Sequence, residues 1–231
     1  MTSNVQIEAI ALNRILPRPE SVSRALIAGW AGRDLLAVGE HVKELAELGV
    51  APPSETPLFY EVSRDRITDG VEIQDVGPGG GGEVECVLWR IGGALYLGLG
   101  SDHTDRELEA TSVAMSKQVC DKPVSDQVIR LSDLDCSTDD LRMSCRIREN
   151  GEWVLYQEGS LDTLWAPLEL LSLAQKRGAL TNGEDVALFC GTLPAIGGVR
   201  PANEYRMALY HPDGRELISL GYDVRRLKAN A

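Results

Sequence analysis

Apolar residues recur at helical spacing in "DLLAVGEHVKELAEL", at Leu35, Val38, Val42, Leu45 and Leu48. This predicts a helix over 34–48 capped by Gly49. In "APPSETP", Pro52, Pro53 and Pro57 block helix and central strand alike, so a loop precedes a short strand at 58–62. A β element is expected earlier, over 5–16. Residues 83–91 and 94–100 read as two strands joined by Gly92-Gly93, a pair suited to the positive φ angles of a tight hairpin turn. Residues 104–117 have helical character, with Thr104 as N-cap and Glu107 at the capping-box spacing. A second hairpin, 141–147 with 152–157, turns at Asn150-Gly151. A helix over 166–177 starts near Pro167 and ends at Gly178. "DVALFCGT" reads as a buried strand, and 204–210 pairs with 216–224 around "HPDG". Mostly β with about three helices, the pattern lacks the alternation of a doubly wound sheet and is assigned to the α+β class. Residues 1–50 are expected to supply a strand and helix packed on a main domain over 51–231.

At 231 residues, 43% of them hydrophobic, the chain is long enough for a substantial core. The formal net charge of −12 repels phosphate backbones and argues against nucleic-acid binding. A small acidic substrate stays compatible with it, because a pocket can differ in sign from the surface and a bound cation can supply the difference. "MTSNVQIEAI" has no basic-then-apolar leader pattern, and no apolar run reaches membrane-spanning length. The five cysteines, Cys86, Cys120, Cys136, Cys145 and Cys190, show no C-x-x-C spacing, which argues against a disulfide framework and a thiolate zinc site. A cytoplasmic location is the expectation. His41, His103 and His211 are isolated, without an H-E-x-x-H pattern.

The hairpin carries the candidate chemistry. Glu83 and Glu85 are two residues apart on one strand and so share a face. A two-residue loop at Gly92-Gly93 sets Glu85 opposite Gly100 and Glu83 opposite Asp102, bringing three carboxylates to that face. Gly98 and Gly100 offer no side chains there, which predicts open space over Glu85. Two readings stand. The carboxylates form a solvated face, or they hold a cation, for which oxygen-only donors suit Mg²⁺, Ca²⁺ or Mn²⁺ rather than zinc. Behind the strand end, "GSDHTDRELEATSVAMSK" packs His103, Asp105, Arg106 and Lys117 near Asp102. A lysine beside such a site can bind a substrate carboxylate or stabilise an enolate. Alternatively, Arg106 and Lys117 belong to a helix face paired with Glu109 or solvent.

At these residues the sequence resembles the fumarylacetoacetate hydrolase superfamily. Glu83-Val84-Glu85 stands for its Glu-x-Glu strand, and "DHTDRELE" for its Asp-led segment, with Asp102 and Arg106 in register. Lys117 in "MSKQVCDKPVSD" sits where the family has its lysine. "NGEWVLYQEGSLDTL" is similar to its glutamine-bearing hairpin, "LTNGEDVALFCGTLPAIGG" to its Gly-Thr-Pro segment, and "PLFYEVS" to the strand before the metal strand. The motifs keep the family's order from about residue 50 to 224. "LGLGSDHTDRELE" looks like a subgroup described only as a domain of unknown function, DUF2848-like.

The resemblance implies a mixed β-roll or barrel, a homodimer, and a divalent metal (Mg²⁺, Mn²⁺ or Ca²⁺) on Glu83, Glu85 and Asp102. It implies Lys117 and Thr192 at the substrate oxygens, with Arg106 nearby. The implied substrate is a 2-oxo or β-diketo carboxylic acid, and the implied chemistry is C–C hydrolysis, decarboxylation, hydration, dehydration or isomerisation. Two departures stand out. The lid His-Glu pair of many hydrolytic members is not evident, and the Gly-Thr-Pro loop reads "GTLP" here. His103 is the nearest substitute base, although strand alternation points it away from Asp102.

Overall fold

The computed structural model describes residues 19–47 and 52–228. The strand expected at 5–16 and the cap at Gly49 lie outside the described residues. In chain order the elements are β1 (Arg24–Gly29), α1 (Leu35–Glu47), β2 (Leu58–Val62), β3 (Ile67–Thr68), β4 (Glu72–Val76), β5 (Gly80–Gly81), β6 (Val84–Ile91) and β7 (Ala94–Ser101). There follow β8 (Thr104–Asp105), α2 (Arg106–Glu109), α3 (Val113–Gln118), β9 (Lys122–Pro123), β10 (Ile129–Arg130), β11 (Arg142–Glu149) and β12 (Glu152–Ser160). The chain continues through α4 (Pro167–Lys176), β13 (Val186–Thr192), β14 (Glu204–Tyr210) and β15 (Glu216–Leu227).

A six-stranded sheet runs β10-β7-β6-β13-β1-β2, and a five-stranded sheet runs β12-β11-β14-β15-β4. Both are mixed, because β1 lies parallel to β13 and β4 parallel to β15 while the other neighbours are antiparallel. Among the described residues neither sheet closes on itself, so the expected barrel is seen there as an open pair of sheets. The two pack through Val84, Cys86, Leu97 and Leu99 on one side and Met143, Ile147, Tyr205, Met207 and Tyr222 on the other. Farther along, α4 covers Leu26, Leu88 and Leu188 with Leu170, Leu171 and Ala174. The opposite face of the six-stranded sheet carries Ile27, Val87, Trp89 and Phe189, packed with Ile67, Val124 and Val128.

Both hairpin turns form as their residues dictate, with positive φ at Gly92, Gly93, Asn150 and Gly151. The strand β1 has no clear signal in the sequence, yet it occupies an inner position between β13 and β2. The helix expected over 104–117 is broken. Thr104 pairs with Gly81 in a short ladder, and Asp105 caps α2 by accepting from Glu107 N and Leu108 N, both at 3.0 Å. A new helix starts at the Ser112 cap. Side-chain caps here compete successfully with helix continuation.

Candidate metal centre

Strand register follows the expected pairing and brings the three carboxylates together. Val84 pairs with Ser101 and Glu85 with Gly100, and Asp102 N donates to Glu83 O at 3.0 Å. Oxygens of Glu83, Glu85 and Asp102 lie within 4.8 Å of one another. Glu85 and Asp102 are buried, and the Glu83 side chain keeps 16% exposure. The space over Glu85 is not open, which corrects the expectation. A Cβ at Gly100 would stand 2.8 Å from both Phe189 and Val87, and one at Gly98 would stand 2.9 Å from Trp89 Nε1. These glycines admit rings against the strand rather than leaving a void.

Cations enclose the carboxylates. Lys117 Nζ from α3 bonds Asp102 Oδ2 and sits 5.7 Å from the Tyr60 ring centroid. Lys122 Nζ lies 3.2 Å from Asp102 Oδ1 and donates to His103 O. Arg106 reaches Glu83 Oε1 at 2.8 Å and Glu109 Oε2 at 2.9 Å. Thus Arg106 makes both the helix-face pair and the site contact. Lys122 is not singled out by sequence reasoning. Its signal is a lysine directly before Pro123 in a buried run, readable only once the ladder of β3 with β9 is known.

Electrostatics separate Glu85 from Asp102. Burial, and then the charge of Asp102, push the Glu85 carboxyl well above the usual carboxylate range. Burial acts the same way on Asp102, but Lys117 and Lys122 outweigh it and hold that carboxyl below its ordinary value. Burial works against the charge on Lys117, yet Asp102 raises its pKa, so it is a fixed ammonium donor. Lys122, by contrast, is lowered by burial.

Glu85 is aimed by a bulge. Between the pairs Phe189–Val87 and Thr192–Glu85, β13 carries an extra residue, and Gly191 N there donates to Glu85 Oε2 at 2.8 Å. Gly191 has φ +93°, and a Cβ would meet that of Ala31 at 2.7 Å. Thr192 is brought beside the site, but its hydroxyl donates to Val84 O at 2.8 Å and accepts from Gln157 Nε2 at 2.9 Å.

His103 is turned to the other side of the strand. Its Nε2 lies 2.7 Å from Asp75 Oδ2, and Asp75 also pairs with Arg226 at 2.7 Å. Its Nδ1 lies 3.1 Å from Tyr222 Oη, Tyr222 is 2.9 Å from Ser101 Oγ, and Glu83 N donates to Ser101 Oγ at 3.2 Å. The side chain proposed from sequence as a substitute base therefore anchors the strand carrying Glu83. The glycine run belongs to this network. A Cβ at Gly80 would stand 1.7 Å from Asp75 Oδ2, and one at Gly82 would stand 2.1 Å from Tyr222 Oη. His41 lies on α1.

Residues 28–222 match the model of a family described as "Protein of unknown function (DUF2848)". The chain belongs to the DUF2848 family. No curated protein matches it. Among solved structures, this DUF2848 chain is similar to Cg1458, at 13% identity and TM-score 0.63, over 90% of this chain and 77% of that one. It is similar to 2-keto-3-deoxy-D-arabinonate dehydratase complexed with magnesium and 2,5-dioxopentanoate, at 12% identity and TM-score 0.61, over 90% and 74% of the two chains. It is also similar to 4-oxalocrotonate decarboxylase from Pseudomonas putida G7, complexed with magnesium and adipate, at 15% identity and TM-score 0.54, over 88% and 77%. The fold is fumarylacetoacetate hydrolase-like. Among the described residues no helix is long and apolar enough to cross a membrane.

Proposed function

We propose that this protein is a divalent-metal-dependent enzyme acting on a small 2-oxo or β-diketo carboxylic acid, by C–C bond hydrolysis or related enolate chemistry. The carrying observation is the convergence of Glu83, Glu85 and Asp102 oxygens within 4.8 Å. The donor set fits a hard cation, since all three ligands are carboxylates. The buried Glu85 carboxyl, crowded by Asp102, gains a reason for its position if a cation is bound beside it. Solved relatives of this fold carry magnesium with small oxo- or dicarboxylic acids, which supports the class of ligand.

Glu83, Glu85 and Asp102 would hold Mg²⁺, Mn²⁺ or Ca²⁺. When bound, that ion supplies Lewis-acid stabilisation of negative charge on substrate oxygens. The chain's own cations set what enters. Lys117, Lys122 and Arg106 balance the three carboxylates, so a bound divalent cation leaves the cluster positive even with Glu109 counted. An anionic ligand is then favoured. Lys117, held as an ammonium, is the donor for a substrate carboxylate or enolate oxygen. Arg106, now paired with Glu83 and Glu109, is the partner for the far end of the same acid in this reading. Glu83, the more exposed carboxylate of the set, is the proton acceptor in this reading. Thr192 contributes to substrate binding once its hydroxyl exchanges Val84 O for a substrate oxygen. The β-roll packing, a homodimer and a cytoplasmic location complete the proposal.

The orientation of His103 toward Asp75 favours a second reading, in which the protein binds metal and organic acid without turnover. Calorimetry with Mn²⁺ and a panel of 2-oxo and diketo acids followed by enol absorbance tests both. Metal affinity unchanged in Glu85→Gln removes the site assignment. Acid binding without loss of enol absorbance selects the second reading.

A further inference from the structure

On a different edge of the fold, the loop after β10 and the turn after β14 bring together Asp135, Cys136 and His211. Each offers one donor atom, and these atoms lie within 4.8 Å of one another. Among the described residues, His211 Nε2 is buried and has no hydrogen-bond partner. Its near neighbour Asp135 Oδ1 stands 3.2 Å away, outside hydrogen-bond geometry. Two ligands at about 2.0–2.1 Å from one tetrahedral ion lie roughly 3.4 Å apart, so the pair has the spacing of ligands sharing a metal.

The other imidazole nitrogen is already oriented. Nδ1 accepts from Asp213 N at 3.3 Å and lies 2.9 Å from Asp213 Oδ2. Nε2 faces Asp135, and a metal bound there would leave the ring proton on Nδ1, where Asp213 Oδ2 lies 2.9 Å away. A carboxylate behind a ligating histidine is the arrangement that fixes tautomer and ring direction in metal sites. The "HPDG" turn holds this geometry through His211 N to Arg215 O at 2.8 Å, Gly214 N to His211 O at 2.9 Å and Arg215 N to Asp213 Oδ1 at 2.9 Å. Arg215 pairs with the outer carboxylate, Asp213, at 3.6 Å. Burial, and then the charge of Asp135, favour the protonated thiol at Cys136, and Asp140 and Asp213 act the same way. A divalent cation reverses that balance and releases one proton from the thiol.

We propose that Asp135, Cys136 and His211 form a second metal site, independent of the three-carboxylate centre, for a borderline-soft divalent ion, with Zn²⁺ as the fitting choice and one coordination position left open. Mixed S, N and O donors select zinc-like ions over the Mg²⁺ class. His211 is far in sequence from the other two ligands, so no motif spacing announces the site.

The test is a Co²⁺ titration of the full chain, followed by competition with Zn²⁺. A thiolate-to-cobalt charge-transfer band is expected, saturating at one equivalent, bleached by Zn²⁺ and retained in Glu85→Gln. It should vanish in Cys136→Ser. Zn²⁺ affinity should fall at least tenfold in Asp135→Asn, an exposed position whose change leaves the core untouched, and by about tenfold in Asp213→Asn. Absence of the band in the unmodified protein overturns the proposal. So does a band that survives Cys136→Ser, or equal Zn²⁺ affinity in all variants with intact unfolding transitions.

Discussion

Replacing Gln157 by methionine tests how the fold holds the carboxylate strand. Gln157 is 1% exposed. Its Oε1 accepts from Val84 N at 3.0 Å, and its Nε2 donates to Thr192 Oγ1 at 2.9 Å and Leu193 O at 2.6 Å. Methionine keeps much of the volume and none of the bonds. Thr192 retains Val84 O, so two buried backbone groups lose their partner. Each such group costs about 1–3 kcal/mol, offset in part because glutamine no longer has to be desolvated. The expected loss is roughly 2–4 kcal/mol, a large share of a typical 5–15 kcal/mol. For a chain of this size that is a fall in Tm of about 5–15 °C. Urea unfolding followed by tryptophan fluorescence reads it, with m unchanged. Mn²⁺ affinity should fall in parallel, because Val84 sits between two of the carboxylates and the Thr192 segment follows the Gly191 N–H that aims Glu85. Gln157→Glu should do no better than Gln157→Met, since a carboxylate would face Leu193 O without a proton. A stability loss below about 1 kcal/mol with unchanged m would refute the reasoning.

Three further outcomes follow from the same geometry. Without metal, Glu85 has a raised pKa, so the unfolded state gives up its proton first and stability falls as pH rises above about 4.3; Glu85→Gln should flatten that slope between pH 5 and 8 in chelator and stabilise the metal-free protein, and an unchanged slope counts against it. Burial lowers the pKa of His103, so the unfolded state takes up the proton first and stability falls as pH drops below about 6.5; urea unfolding of His103→Gln across that range should show a shallower acid slope. Gly82→Ala drives a Cβ to 2.1 Å from Tyr222 Oη and should cost roughly 1–3 kcal/mol; thermal melts of Gly82→Ala with Tyr222→Phe should recover part of it, and strict additivity would show that the clash lies elsewhere.

The sequence by itself determined the elements whose signals are local. Gly92-Gly93 fixed a two-residue turn, and the pleat then fixed that Glu83, Glu85 and Asp102 share a face, because hairpin register and side-chain alternation are short-range properties. The ordered motifs pointed to the fumarylacetoacetate hydrolase-like fold, and His103 points away from Asp102 as alternation requires. Tertiary structure decided what distant segments bring to those residues. Lys122 arrives through the pairing of β9 with β3, Gln157 through the facing sheet, and Gly191 through a bulge in β13. None has a periodic signal, since each acts by approach between segments many residues apart. The same holds for Gly80 and Gly82, which give backbone passage over Asp75 and Tyr222. It holds for Gly98 and Gly100, where an expected gap is filled by Trp89 and Phe189. Pattern along the chain fixes which way a side chain points; only packing fixes what it meets.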